Sequence, residues 1–286
     1  MTSPLALDRI RPAFSERAYF VDETLATAVF LALELGKPLL VEGAPGVGKT
    51  ELAKTLALTL GRRLIRLQCY EGIDAAQALY EWNYARQLLT IRRQEAGGSA
   101  AVSDDDLYRE EFLIERPLLA AIRHAEDAVL LVDEIDRADD AFEALLLEFL
   151  SDFQISVPEL GTFAAATAVP VVLTSNRTRE LHDALRRRCL YHYIDYPEPA
   201  RERAIVMAKA PGVTEEAADR LIAAVTRVRA LPLIKKPGTA ESIEWGRAAV
   251  ALVRGGSDWP EAFRQSLGLL VKDQEDFETI RLAGVV

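Results

Sequence analysis

The sequence predicts an α/β protein: a parallel sheet flanked by helices, followed by a small all-helical domain. Three observations carry this. Apolar strand-like runs alternate with helical patterns up to about residue 195, an alternation that builds parallel sheets covered on both faces. One strand-to-helix turn reads GAPGVGKT, residues 43–50, the form G-x-x-x-x-G-K-[ST]. After YPEPA, residues 196–200, strand signals stop. The expected division is 1–197 for the α/β domain and 198–286 for the helical one.

Each element has a local reason. Behind Asp22, an N-cap candidate, Leu25, Val29 and Leu33 recur at helical spacing until Gly36 and Pro38 end the run. LLVEG, 39–43, is a buried strand, and Lys49 to Leu60 is a helix halted by Gly61. RLIRLQC gives a second strand. EAGGSAA at 95–101 reads as a loop, and SDDD at 103–106 as a helix start whose acids suit the positive end of the helix dipole. Pro117 fits the first turn of the helix PLLAAIRHA, which leads into the strand AVLLVDE, 128–134. A helix from Asp139 to Phe153 carries Phe142, Leu145, Leu146, Phe149 and Phe153 on one face. ISVPELGTF, 155–163, reads as a hairpin turning at Pro158 to Gly161, and VPVVLTSN as a buried strand. Helices are then expected at 199–209, 214–230, 240–254 and 258–271, with Gly255-Gly256 as a stop.

Composition narrows the function. Half of the 286 residues are apolar, enough for a sizeable core. A net charge of −10 and a pI near 5.0 oppose general attraction to nucleic acid or membrane surfaces, so any anion contact must be local. Cys69 and Cys189 lie far apart without metal-ligand spacing, which suits a reducing compartment and buried, inert thiols. MTSPLALDRIRPAF does not read as a leader, and no stretch is long and apolar enough to span a membrane, so the expected location is cytoplasmic.

Chemistry concentrates at strand ends. In Gly43, Ala44, Pro45, Gly46, Val47, Gly48, Lys49 and Thr50 the glycines let backbone N–H groups curl around phosphates at a helix N-terminus. Lys49 then reaches the β and γ phosphates, and the Thr50 hydroxyl ligates Mg²⁺. Asp133 and Glu134 end the apolar strand where parallel sheets present side chains to ligands. Asp133 fits a direct or water-mediated Mg²⁺ partner, and Glu134 fits the base for an attacking water. Asn176, after VVLTS, is either a turn residue or a holder of that water. DALRRRC, 183–189, concentrates three arginines in an acidic protein. On its own it reads as a solvated face, a nucleic-acid contact or a device aimed at one anion.

The ordered set GAPGVGKT, VLLVDEID, VVLTSN and LHDALRRRC resembles the AAA+ ATPases across about residues 20–200, with the helical lid behind. YFVDETLATAVFLALELGKPLLVEGAPGVGKTELAKTLA looks like the MoxR group, and ALYEWNYARQLL with DALRRRCLYHYIDYPEP is similar to its CoxD-like branch. This resemblance implies ATP and Mg²⁺ as cofactors, with Glu134, Asn176 and Arg188 catalytic. It implies a helix-2 insertion at about 70–110 and a pre-sensor hairpin at about 155–163. RRC matches the family's SRC or DRF ending, so Arg188 is the arginine that reaches a neighbouring subunit's γ-phosphate, a role its planar, always-charged fork suits. Arg186 and Arg187 stay open between interface and helix-end contacts. One departure stands out: MoxR-type lids carry an arginine in a GASPRA-like stretch, whereas PGTAESIEW, 237–245, has Glu241 and Ser242 there. Arg247 is a substitute or simply an exposed helix arginine.

The resemblance implies a ring, expected as a hexamer, that acts as a chaperone in metalloenzyme maturation. The implied client is a molybdenum hydroxylase of the carbon monoxide dehydrogenase kind, helped by a von Willebrand factor A domain partner. The alternative is a DNA-associated motor or clamp loader, opposed by the acidic balance and by the lack of basic residues in SVPELGTF. A GTPase is opposed by the absence of an N-K-x-D element, and a small-molecule kinase has less use for a water base.

Overall fold

The structure, a computed structural model, describes residues 5–96 and 107–284. Helices α1 (Leu7–Ser15) and α2 (Glu23–Leu35) precede β1 (Leu39–Gly43), and α3 (Lys49–Leu60) follows the glycine-rich turn. Gly61, at φ +64, releases the chain into β2 (Arg63–Gln68). Next come α4 (Ala75–Ala78), β3 (Tyr80–Trp82), α5 (Tyr84–Ala96), β4 (Leu113–Glu115) and α6 (Pro117–Arg123), with Pro117 at the helix start. β5 (Ala128–Asp133) leads through one 3-10 turn, Ile135–Arg137, into α7 (Asp140–Asp152). The hairpin β6 (Gln154–Val157) and β7 (Gly161–Ala164), then β8 (Val171–Ser175), α8 (Asp183–Arg188) and β9 (Leu190–Ile194), complete the α/β part.

The main sheet has five strands in the order β2-β5-β8-β1-β9. β5 runs parallel to both β2 and β8. β1, β5 and β8 are buried throughout, as parallel strands covered on both faces must be. The second strand ends at Gln68, one residue short of the expected Cys69, whose N–H still bonds the Asp133 carbonyl at 2.8 Å. α7 starts and stops as its termini dictate. The Asp139 carboxylate accepts the Phe142 N–H at 2.9 Å, and Phe153 closes the helix at φ +46. Phe142, Leu146 and Phe149 of its apolar face are buried, while Leu145 and Phe153 are half-buried. The expected hairpin forms with Val157 opposite Gly161.

Two differences from the sequence reading concern local signals. The expected loop at 95–101 begins inside α5, and residues 97–101, with the helix start at 103–106, lie outside the described residues. β3 and β4 pair antiparallel, Trp82 opposite Leu113, a long-range pairing that no tight-turn signature announces.

From residue 199 onward the described residues contain helices and no strand. These are α9 (Pro199–Lys209), α10 (Glu215–Ala230), α11 (Thr239–Arg254), α12 (Trp259–Gln265), α13 (Leu267–Leu270) and α14 (Gln274–Ala283). The helix expected at 258–271 breaks at Ser266, whose backbone leaves the helical region and whose hydroxyl bonds the Ala262 carbonyl at 2.6 Å. Helix α14 was not expected, because its apolar periodicity is thin. Its Asp273 cap was the available signal: that carboxylate accepts the Glu275 and Asp276 N–H groups. Buried Asp276 in turn accepts the N–H groups of Ile234 and Lys235 at 2.7 and 2.9 Å.

By contacts the chain forms two compact units, each with its own core. Among the described residues, unit 1 comprises 5–7, 24–41, 53–96 and 107–192; unit 2 comprises 8–23, 42–52 and 193–284. Leu118, Leu119, Leu130, Ile135 and Leu146 are central to the first core. The second forms around Trp245, whose indole N–H bonds the Phe263 carbonyl at 3.1 Å, with Leu221 and Val225. Among the described residues no helix is long and apolar enough to cross a membrane.

Candidate active site

In unit 1 the register of the sheet assembles a polar cluster. Gln68 pairs with Asp133, and Val132 with Leu173, so the last residues of β2, β5 and β8 reach the carboxyl edge at one level. Thr174 donates its hydroxyl to Asp133 Oδ1 at 2.6 Å and accepts the Glu134 N–H at 2.9 Å. Arg66 donates Nε and Nη2 to Asp133 Oδ2, at 3.0 and 2.6 Å. Asp133 is buried, so these charge-assisted bonds offset the cost of removing its carboxylate from water.

Glu134 takes a left-handed backbone conformation, φ 56 and ψ 49. That conformation is strained for a residue with a side chain and is held here by the Thr174 bond. Its Oε2 accepts Gln68 Nε2 at 3.0 Å and Arg137 Nη1 at 3.1 Å. Arg66 Nη2 also bonds Gln68 Oε1, which orients the amide so that its NH₂ faces Glu134. Arg66 and Gln68 were missed in the sequence; neither has a motif, and only the β2–β5 register brings them here.

The loop after β8 is tied to the helix that follows β5. Asp136 Oδ2 accepts Thr178 N and Oγ1 at 2.9 and 2.7 Å, and Ser175 Oγ accepts Arg177 N at 3.0 Å. Half-exposed Asn176 sits between these anchors. Farther along, buried Glu143 pairs with Arg179 and accepts the His182 N–H at 2.9 Å. Arg188 donates Nη1 to the Leu147 carbonyl at 2.6 Å, leaving most of its five N–H donors for other acceptors. The Arg186 guanidinium lies over the Tyr191 ring at 5.8 Å, whereas Arg187 is exposed with neither contact.

In unit 2 the glycine-rich loop is held on several sides. Gly46 and Gly48 have φ +79 and +99, and a Cβ at Gly43 would sit 2.3 Å from the Ile194 carbonyl oxygen, so side chains are excluded there. Lys49 Nζ donates to the Gly43 and Ala44 carbonyls, each at 2.8 Å. The Tyr19 hydroxyl donates to the Gly48 carbonyl at 3.2 Å; burial, with the negative charges of Glu51 and Asp22, pushes its pKa up, so the donor keeps its proton. Glu51 pairs with Lys209, and Asp22 with Arg201 at 3.1 Å. The start of α11 also touches the loop: Ala240 N–H bonds the Gly46 carbonyl at 3.0 Å. Arg247 is exposed, with Nε on the Lys209 carbonyl at 2.8 Å.

Among the described residues no cluster of three His, Cys, Asp or Glu side chains forms a protein metal cage. Mg²⁺ is commonly held by one or two protein oxygens plus phosphates and water. Asp133, a carboxylate held in one orientation by Thr174 and Arg66, is an oxygen donor of that kind. Both cysteines are free thiols; Cys69 is buried as expected, whereas Cys189 is only half-buried. Burial, reinforced for Cys69 by Asp133, Asp136 and Glu134, pushes both cysteines up to about 12.

Comparison with known proteins adds three findings. Residues 38–189, more than half the chain, match the family described as AAA domain (dynein-related subfamily). Protein NorQ of Paracoccus denitrificans is 27% identical over 201 residues, covering 68% of this chain and 65% of that protein. An uncharacterized protein of Staphylococcus saprophyticus is 27% identical over 183 residues, covering 61% of this chain and 62% of that protein. The chain thus spans less than two thirds of the length of either relative. Among solved structures, one mutant form of Thermotoga maritima RuvB superposes with a TM-score of 0.54 at 16% identity, covering 96% of this chain and 75% of that one. A second mutant form of the same protein gives 0.55 at 19% identity, covering 92% and 73%. At such identities the likeness concerns the fold alone.

Proposed function

Because the chain belongs to the AAA domain family, dynein-related subfamily, a family of ATP-hydrolysing P-loop domains, we propose that it is a Mg²⁺-dependent ATP hydrolase of the MoxR type working as an oligomeric ring. The observation that carries this reading is the oriented acidic pair at the end of β5. Asp133 is pinned by Thr174 and Arg66, and Glu134 by Gln68 and Arg137. Similarity to NorQ supports the MoxR assignment.

In this reading the backbone N–H groups of residues 43–50 and Lys49 Nζ bind the phosphates, and Lys49 leaves the Gly43 and Ala44 carbonyls to do so. Thr50 Oγ1 and the Asp133 carboxylate hold Mg²⁺, directly or through water. Bound Mg²⁺ supplies charge neutralisation as phosphoryl charge develops. Glu134 accepts a proton from the attacking water on a carboxylate oxygen, and Asn176 orients that water. Gln68 and Arg137 set the direction of the Glu134 carboxylate. Arg188 serves a neighbouring protomer, its exposed position on α8 leaving donors for a phosphate there. We place the boundary between the α/β domain and the helical lid near residue 197. The ring is proposed as a hexamer in the cytoplasm that remodels a client. A molybdenum hydroxylase is the proposed client, and a von Willebrand factor A domain protein the proposed partner.

The test measures phosphate release from Mg²⁺-ATP against protein concentration. Specific activity should rise with concentration as rings assemble. Inactive Glu134→Gln protomers, which retain Arg188, should restore activity to Arg188→Ala protomers in mixed rings. An equal rate at all dilutions, with Arg188→Ala fully active, would sink the between-subunit mechanism. The ATP-trapped Glu134→Gln form should retain the client on purification.

A further inference from the structure

Glu241 occupies the position where the family resemblance leads one to expect a positive charge, and the surroundings give it a function of its own. A Cβ built on Gly46 would lie 2.6 Å from Glu241 Oε2, so the carboxylate rests directly on the phosphate-loop backbone. Its one hydrogen bond is the Gly238 N–H at 3.0 Å, part of the reciprocal cap at the start of α11. Among the described residues no lysine, arginine or histidine pairs with it. The half-buried charge is therefore uncompensated by a cation, within unit 2, against a loop built to receive anions.

This placement is fixed from both flanks. Arg229 donates Nε to the Pro237 carbonyl at 2.8 Å and forks onto both oxygens of buried Glu202 at 2.6 and 2.7 Å. Ser242 donates its hydroxyl to Glu202 Oε1 at 2.8 Å. The residues on either side of Glu241 are thus tied to one buried ion pair. The Ala240 N–H on the Gly46 carbonyl completes the attachment. A surface glutamate would swing away from an arriving polyanion; this one is held against the loop.

We propose that Glu241 sets nucleotide affinity by electrostatic opposition: its carboxylate lowers retention of the phosphate chain in proportion to the ligand's negative charge. The inference rests on the ATP-binding reading above. Its physical basis is that like charges a few ångströms to a nanometre apart, partly shielded from water, repel measurably, and that salt weakens the repulsion. Lys49 and the loop N–H groups still favour binding, so Glu241 tunes affinity and release without abolishing them.

The test is calorimetric binding of ATP, ADP and adenosine to the full chain, first in EDTA and then with Mg²⁺. Glu241→Gln keeps an oxygen for the Gly238 N–H and removes the charge. It should tighten ATP binding about three- to ten-fold, tighten ADP less and leave adenosine unchanged, with the gain shrinking as salt rises. Glu241→Lys should extend the same trend, and Glu241→Asp should stay near wild type. A Glu241→Gln protein that binds ATP no tighter, or gains equally for adenosine, overturns the proposal. Loss of affinity only when Mg²⁺ is present also overturns it, by making Glu241 a metal partner. If wild type and Lys49→Ala alike bind no ATP, the ATPase reading itself fails, an outcome distinct from failure of the Glu241 proposal.

Discussion

The carboxylates at the edge of the sheet and the carboxylate at the phosphate loop are treated in opposite ways. Asp133 has the Thr174 hydroxyl and the Arg66 guanidinium, and Glu134 has Gln68 and Arg137. Glu241, on α11, has one backbone N–H and no cationic partner among the described residues. Where a carboxylate must hold one orientation to guide a proton or a cation, surrounding donors remove its freedom. At Glu241 a single backbone N–H holds the carboxylate, and the neighbouring backbone is anchored to the Glu202–Arg229 pair. Buried Glu143 and Glu202, each 1% exposed, resemble the sheet-edge pair, since each is matched by an arginine.

This comparison is easiest to break at Glu134. Glu134→Gln should lower the rate of ATP hydrolysis by about 10³-fold while ATP binding persists, as measured by single-turnover kinetics beside calorimetry. A rate within a few-fold of wild type would remove Glu134 from the chemistry. The buried pairs come next in size. Glu202→Ala leaves Arg229 without its carboxylate partner in the helical region and should cost about 3 kcal/mol of stability in denaturant unfolding. Glu202→Gln, which keeps one acceptor oxygen for Arg229 and Ser242, should cost less; equal losses would mean charge pairing is what matters there.

Arg188→Ala should lower the rate by about 10²-fold, the cost typical of one lost transition-state donor. Its stability should change little, because the Leu147 carbonyl it leaves is at an exposed helix turn. Gln68→Ala should reduce kcat by about ten-fold with KM nearly unchanged, as expected for one hydrogen bond to a charged group. A change in KM alone would mean that Gln68 does not orient Glu134. The smallest effect on activity concerns the cysteines. With both thiols pushed up to about 12, almost no thiolate exists at pH 8, so native protein should resist iodoacetamide and label only after unfolding. Rapid native labelling of Cys69 would contradict its burial.

The strand, glycine-rich turn and helix at 39–60 were legible because each depends on neighbours in sequence: an apolar run, glycines at positive φ, and a helix ended by Gly61. The same holds for the Asp139 cap, the 154–164 hairpin and the helices after residue 199. Helix α14 escaped because so little of its surface is apolar, though Asp273 marked its start. Asp133, Glu134 and Asn176 were legible as strand-end polar residues. The groups that orient the two acids were not: Arg66 and Gln68 are ordinary side chains of an exposed-edge strand until the register aligns β2 with β5.

The sequence by itself determined the alternation of strands and helices, the glycine-rich turn between β1 and α3 and the place of the acidic pair at a strand end, since backbone geometry and residue type act over a few positions. Tertiary structure alone decided which partners hold each charge. Arg66 meets Asp133 across 67 positions, and Glu202 meets Arg229 across 27. Glu241 lies on Gly46, nearly two hundred residues earlier in the chain. Coulomb and hydrogen-bond energies depend on distance in space, and only packing within each unit converts separation along the chain into contact.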